Sequence, residues 1–263
     1  MLTQSVQASI YSKWAEKASA SSAALSLGVP RSTVRDYYKR FSGTYPNWLE
    51  GVDLKSAGAS HPYGFESRRA EFTSLEWASY CYLLGLYLGD GHIVASKKTW
   101  ILRIYQTAKY TNLVSLALGA MKSCWPKATV WSGNQGPNCT LCLVRSPEIV
   151  EAFPQHGPGR KHLRPIVLAD WQVQAVRSNA AEFLRGLIHS DGCRSVRKIP
   201  KNKGGTYLYP FYGFSNRSSD ILNLCFWVSD LLGLSPTRSS QVMISFAKRK
   251  DVSLMDTWIG PKS

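Results

Sequence analysis

The sequence predicts an α+β protein made of two tandem copies of one unit behind a small all-α module. Three observations lead there. A nine-residue stretch, LLGLYLGDG at 83–91, returns as LRGLIHSDG at 184–192, with Leu, Gly, Leu, Asp and Gly at the same five places. The runs that follow each copy match in kind and order. Ahead of both, residues 21–41 carry a helical apolar stripe that belongs to neither copy.

A chain of 263 residues can bury a sizeable core and suggests roughly two domains as a prior. Its 44% apolar content, with nine Trp and thirteen Tyr, points to a folded protein. Apolar runs fall far short of the ~18 residues a membrane span needs. The start, MLTQSVQASIYSKWAEK, lacks the features of a signal peptide, so a cytoplasmic location without membrane association is the default expectation. The net charge of +15 calls for a polyanionic partner. No basic amphipathic helix stands out, so nucleic acid leads over a membrane surface, and composition does not separate DNA from RNA. The six cysteines are scattered. Only Cys139 and Cys142 have a metal-like spacing, no second pair exists, and reduced structural thiols are expected.

The front module reads SSAALSLGVPRSTVRDYYKRF. Ala24 and Leu27 precede a Gly28-Val29-Pro30 turn, and a second helix can begin at Arg31 or Ser32. In it Val34, Tyr37, Tyr38 and Phe41 form one apolar stripe, while Arg31, Ser32, Thr33, Arg35, Lys39 and Arg40 face away. This pattern resembles the small helix-turn-helix segments of site-specific recombinases and transcription factors. Arg31, Ser32, Thr33 and Arg35 would meet phosphates and base edges. The module spans 1–42, and the Gly- and Pro-punctuated stretch 43–72 reads as a linker.

Residues 73–165 and 166–263 are the two copies. The first begins with Thr73 and Glu76 at capping-box spacing, and the second offers Asn179 and Glu182. Each therefore opens with a helix ending at Asp-Gly, and Asp90 and Asp191 lie 101 residues apart. HIVAS and TWILRIYQT, then YTNLVSLALGAM, answer to CRSVRKI and YLYPFYGFSN, then SSDILNLCFWVSDLLG. Farther on, Leu141 matches Ile244, Arg145 matches Lys248, Glu148 matches Asp251, and Gly157-Pro158 matches Gly260-Pro261. Both copies thus run helix, two strands, helix, two strands, helix.

Gly85 and Gly89 form a small-residue stripe on the first motif helix, as Gly186 and Ser190 do on the second. Such stripes let two helix backbones approach closely, and the natural partners are the two copies. Packed so, they bring Asp90 and Asp191 together at their shared ends. An aspartate at a helix C-terminus meets the negative end of the dipole, and two side by side repel each other. A divalent cation relieves both conflicts. The two carboxylates with the carbonyls of Gly89 and Ser190, completed by water and phosphate, suit Mg²⁺ or a similar ion such as Mn²⁺.

The paired motifs resemble those of LAGLIDADG homing endonucleases of the single-chain, two-motif type, over about residues 73–262. That resemblance implies two αββαββα repeats forming a pseudo-twofold saddle on double-stranded DNA in a monomer. Asp90 and Asp191 would then be the metal-binding catalytic acids. It further implies a polar residue on the second strand and a basic residue after the last strand. Gln106 fits the first role in copy one, and Ser215 or Asn216 stands there in copy two. Lys161 and Lys262 fit the second role, with Arg145 and Lys248 as alternatives.

Basic residues cluster where groove-facing strands would lie. Lys97, Lys98 and Arg103 flank the first-copy strands; Arg194, Arg197, Lys198, Lys201 and Lys203 crowd the second-copy hairpin, and Lys248 follows its last strand. His189 has no counterpart in copy one, where Leu88 stands, and reads as a surface or interface histidine. The leading expectation is a site-specific, metal-dependent DNA endonuclease. A DNA-binding regulator on the same scaffold and an RNA-binding maturase acting on structured RNA are the rivals. The chain begins with Met and ends GPKS without splicing-type termini, so a free-standing protein is expected over an intein.

Overall fold

The computed structural model describes residues 6, 9, 10, 13, 19–31, 33, 34, 64–97, 99–202, 205–260 and 262. The chain divides into two compact units, Met1–Ala59 and Ser60–Ser263. In the first unit, helix α1 (Ala20–Leu27) starts where the Ser19 hydroxyl accepts from the Ser22 N–H and stops at Gly28, whose φ of 62° is left-handed. Glycine takes that conformation without steric cost, which makes the turn. Val34 then donates its N–H to the Pro30 carbonyl, opening a second helix, and Ile10, Ala23, Val29 and Val34 form a small core. Ser32, Arg35 and the stripe residues beyond Val34 lie outside the described residues, so the helix-turn-helix reading continues there only as an expectation.

The second unit contains the duplication in the expected order. In repeat one, helix α3 (Ser74–Asp90) follows a short helix α2 (Phe65–Ala70) and leads into β1 (Gly91–Ser96), β2 (Thr99–Thr107), α4 (Thr111–Cys124), β3 (Val130–Asn134), β4 (Cys139–Ser146) and α5 (Ile149–Ala152). In repeat two, α6 (Asp170–Ser178) precedes α7 (Ala180–Asp191), β5 (Gly192–Pro200), β6 (Thr206–Ser215), α8 (Ser219–Leu231), β7 (Thr237–Ser240), β8 (Met243–Phe246) and α9 (Arg249–Trp258). The two antiparallel sheets have the same strand order, β1-β2-β4-β3 and β5-β6-β8-β7. Their helix-facing sides and the two motif helices share one hydrophobic core.

The Thr73–Glu76 capping box forms as expected, with hydroxyl and carboxylate each accepting the other residue's N–H. Its copy-two counterpart does not. Asn179 ends α6 and begins α7 at once, and its side-chain amide donates to the Ala175 carbonyl behind it. Glu182 instead meets Arg185 at 3.4 Å. A helix abutting from the N-terminal side has taken the capping side chain.

The linker reading of 43–72 is corrected over its last part. Residues 64–72 are folded: Phe65 is buried among Phe72, Tyr80, Trp125 and Trp171, and its N–H donates to Glu151 at 2.8 Å. Arg68 and the Trp125 indole both donate to the buried Glu148 carboxylate, at 2.7 and 3.0 Å. Glu148→Ala leaves the Arg68 Nε–H and the Trp125 indole N–H without their acceptor and the guanidinium without its counter-charge. The expected loss is about 3 kcal/mol, read as a lower denaturant midpoint at unchanged slope.

Candidate functional site

The two motif helices cross with their glycines in register. A Cβ on Gly186 would lie 2.2 Å from the Tyr82 carbonyl oxygen, and one on Gly85 would lie 2.4 Å from that of Phe183. One step on, Gly89 faces Ser190 so closely that its Cβ would sit 2.2 Å from the Ser190 hydroxyl and 3.1 Å from a carboxylate oxygen of Asp191. The small-residue stripes therefore do what their spacing predicted, and both helices end at one place.

Asp90 and Asp191 are each half-buried at that shared end. Burial, reinforced by the Asp191 charge, pushes the Asp90 carboxyl up to about 6. Burial also raises Asp191, opposed by a hydrogen bond from the Asn216 amide at 2.7 Å. Two lysines moderate the repulsion. Lys161 donates to the carbonyls of Tyr87, Gly89 and Gly91 at the end of α3. Lys262 donates to those of Ser190 and Gly192 at the end of α7. Each ammonium thus caps the negative end of a helix dipole beside its aspartate. Burial, partly offset by the two aspartates, lowers Lys161 to about 8.

The strand registers settle which residues are equivalent. Gly91 pairs with Ile104 and Gly192 pairs with Phe214, so Gln106 and Asn216 each stand two residues past the partner of the motif glycine. Asn216, not Ser215, is therefore the counterpart of Gln106. The halves nevertheless differ. Asn216 is engaged on both sides, donating to Asp191 and accepting from the Ser218 N–H at 2.8 Å. Gln106 is buried and its amide nitrogen has no protein partner.

Among the described residues no three His, Cys, Asp or Glu side chains gather as a metal cluster. The donor set is instead two close carboxylates, with the Gly89 and Ser190 carbonyls already accepting from lysines. Two carboxylates with the remaining positions left to water and phosphate suit Mg²⁺, which dehydrates reluctantly and rarely sits in an all-protein cage. An open pocket of about 420 Å³ reaches the Asp191 side, lined in part by Gly89, Lys161, His162, Asn216 and Arg217. His162 and Arg217 were missed in the sequence. The one signal was adjacency, since each directly follows a residue expected at the site.

Other expected residues fall in different places. His189 is buried at the helix interface, its ring nitrogens placed against the Tyr82 hydroxyl and the Ile259 carbonyl, and burial lowers it to about 4. It is an interface histidine. His92 and Arg103 are paired across β1 and β2. Arg197, Lys198 and Lys201 are exposed, Lys97 lies in the β1–β2 turn, and Arg31 and Thr33 open the second helix of the first unit. Lys248 stands immediately before α9 and is off the strands, while Arg145 is exposed on β4. Lys98 and Lys203 lie outside the described residues.

Arg194 is engaged within the protein: its guanidinium makes two 2.9 Å hydrogen bonds to Asp256, whose carboxylate also accepts from Tyr212. Alternation along β5 turns it toward α9, on the side of the sheet that carries the core.

No family model matches the chain, and no curated protein matches it. Among solved structures it is similar to mesophilic variants of the homing endonuclease I-DmoI at 15% identity and a TM-score of 0.45, covering 70% of this chain and 96% of that one. It is similar to I-DmoI in complex with DNA and Mn at 15% identity and a TM-score of 0.46, covering 70% and 97%. It is also similar to the LAGLIDADG meganuclease I-AabMI bound to uncleaved DNA, at 13% identity and a TM-score of 0.45, covering 68% and 82%.

Proposed function

We propose that this chain is a divalent-cation-dependent, site-specific endonuclease of double-stranded DNA, of the LAGLIDADG homing type, acting as a monomer with two unequal half-sites. The observation that carries the reading is the meeting of Asp90 and Asp191 at the interlocked ends of α3 and α7. Two half-buried carboxylates, both raised by burial and Asp90 further by the Asp191 charge, are an unfavourable arrangement without a cation. The chain's charge of +15 supplies the attraction for a phosphate backbone.

Asp90 and Asp191 would hold Mg²⁺ or Mn²⁺ and leave room for water and a phosphate oxygen. When bound there, such a cation would supply Lewis acidity for activating water and for stabilising the charge of the leaving group. Lys161 and Lys262, tied to the helix ends, keep positive charge beside the developing phosphorane charge. Gln106 and Asn216 orient water through their amides. The water oxygen bonds to phosphorus as the bond to the leaving ribose oxygen breaks, and the water's proton passes to solvent.

The test is incubation of the intact protein with duplexes selected from a randomised library, with Mg²⁺ and with EDTA. Scission only with Mg²⁺ is expected. Specific binding without scission would make the chain a DNA-binding regulator, and binding to structured RNA alone a maturase. The unequal halves add a second expectation. Asn216→Ala frees Asp191 from its clamp and should slow one strand's scission by ~10²-fold, so that nicked circles accumulate on a supercoiled plasmid carrying the site.

A further inference from the structure

β5 and β6 run well past the sheet that roots them. β6 pairs with β8 only from Tyr212 to Ser215 but pairs with β5 as far as Thr206. The rungs from Ser195↔Phe211 to Pro200↔Thr206 therefore form a free two-stranded ribbon. In repeat one only Ser96↔Thr99 lies beyond the last rung shared with β4, Trp100↔Ser146.

The ribbon is chemically one-sided. No acidic residue occurs between Gly192 and Ser219, whereas Arg197, Lys198 and Lys201 lie along the hairpin and the sequence adds Lys203. On one face Arg197 lies 5.2 Å over the Phe211 ring, Lys201 lies 4.6 Å over that of Tyr207, and Tyr207 and Tyr209 are 5.9 Å apart. These rings order the cations without neutralising them. Ile199 and both tyrosines are exposed on that face, and Val196 and Leu208 on the opposite one, although a free edge with exposed apolar residues invites pairing with another chain. The root, by contrast, is fixed. Where repeat one packs Ile93 against Leu102, repeat two has Arg194 and Tyr212, and both hold Asp256 of α9.

Repeat one presents a different outer face. Ile101, Leu141 and Leu143 form a closed apolar cluster there with Val94 and Tyr105. Its strand β1 has six residues against nine in β5. Three extra residues at ~3.4 Å each add about 10 Å of reach, close to three base pairs at about 3.4 Å per step.

We infer that the β5–β6 ribbon is a one-sided duplex-reading arm, which follows the major groove beyond the span of repeat one and makes the second repeat's half-site the longer and more strongly held. The inference rests on the DNA reading above. A two-stranded ribbon fits a groove about 12 Å wide, and the uncompensated cations lie along it. Arg197 and Lys201 meet phosphates or purine edges, and the exposed Tyr207 and Tyr209 on the same face meet sugars and thymine methyls.

The experiment uses the full chain on a library-selected duplex in EDTA, probed by hydroxyl-radical footprinting. Protection is expected to extend about three base pairs farther from the midpoint on one side. Two variants separate DNA recognition from folding: a shortened hairpin in which Asn-Gly replaces Ile199–Tyr207, and the surface pair Arg197→Ala with Lys201→Ala. Both should lose the distal protections on that side alone. The surface pair should lower the slope of log affinity against log salt by about 0.9 for each phosphate that is no longer neutralised. Equal margins, or distal protections that persist in both variants, would overturn the arm while leaving DNA binding intact. Failure of the intact protein to bind any duplex would overturn the arm and the DNA reading together.

Discussion

Asp90→Asn and Asp191→Asn should each reduce Mg²⁺-dependent scission by at least about 10³-fold while leaving duplex affinity in EDTA within a few-fold of the parent. Asparagine keeps the shape and one oxygen but removes the charge that holds a cation. Affinity is spared because these acids repel phosphate. The same pair makes stability depend on pH. The Asp90 carboxyl is raised from 3.8 to about 6 by burial and by Asp191, so the native state holds a proton that the unfolded chain has released. The contribution of Asp90 to metal-free stability should therefore be highest below about pH 4, fall by about 2 kcal/mol as pH rises to about 6, and level off above, while buried His189, lowered to about 4, shifts stability the opposite way over the same range. Asp90→Asn should flatten that decline, and Mg²⁺ at pH 8 should restore what the parent loses. Thermal melts of both proteins across this range, with and without Mg²⁺, check the sign. A parent-minus-variant difference in melting temperature that rises from pH 4 to 6 in EDTA would contradict the repulsion.

The second large effect is on folding. Gly186→Ala should destabilise the protein by at least about 4 kcal/mol, because the new methyl meets the Tyr82 carbonyl oxygen and the Gly85 Cα. Neither is the end of a flexible side chain, so relief requires the helices to part along a seam that carries Leu83, Leu86, Phe183 and Leu187. A drop of roughly 8–16 °C in melting temperature follows for a unit of this size. Gly119→Ala is the control. Nothing lies within 4 Å of a Cβ there, and a helical Gly replaced by Ala should be neutral or stabilising by up to about 1 kcal/mol.

The architecture was legible because duplication writes the same physical demand twice. One Asp-Gly after a helix is an ordinary turn, whereas two at equivalent places, each with a lysine seventy-one residues later, tie four charges to one seam. Strand register was not legible. A shift of one residue exchanges the faces of a strand, so Ser215 and Asn216 stayed alternatives until the Gly192↔Phe214 pairing chose between them. The ion pair of Arg194 was hidden for a related reason. Its basic neighbours suggested a ligand, and its partner Asp256 lies sixty-two residues away, across a sheet that the sequence does not draw. Phe65 was hidden by punctuation, since Pro62 and Gly64 read as loop while the aromatic cluster that captures the side chain is assembled from distant segments. Asn179 carried the right chemistry for a cap and served the preceding helix instead.

The Gly89–Ser190 contact has a consequence for ancestry. The hydroxyl of Ser190 fills the space where Gly89 lacks a side chain, so two second halves joined symmetrically would force two such hydroxyls into room for one. The second half has become a key shaped to the first half's lock, and it could not now return to life as a self-matched pair.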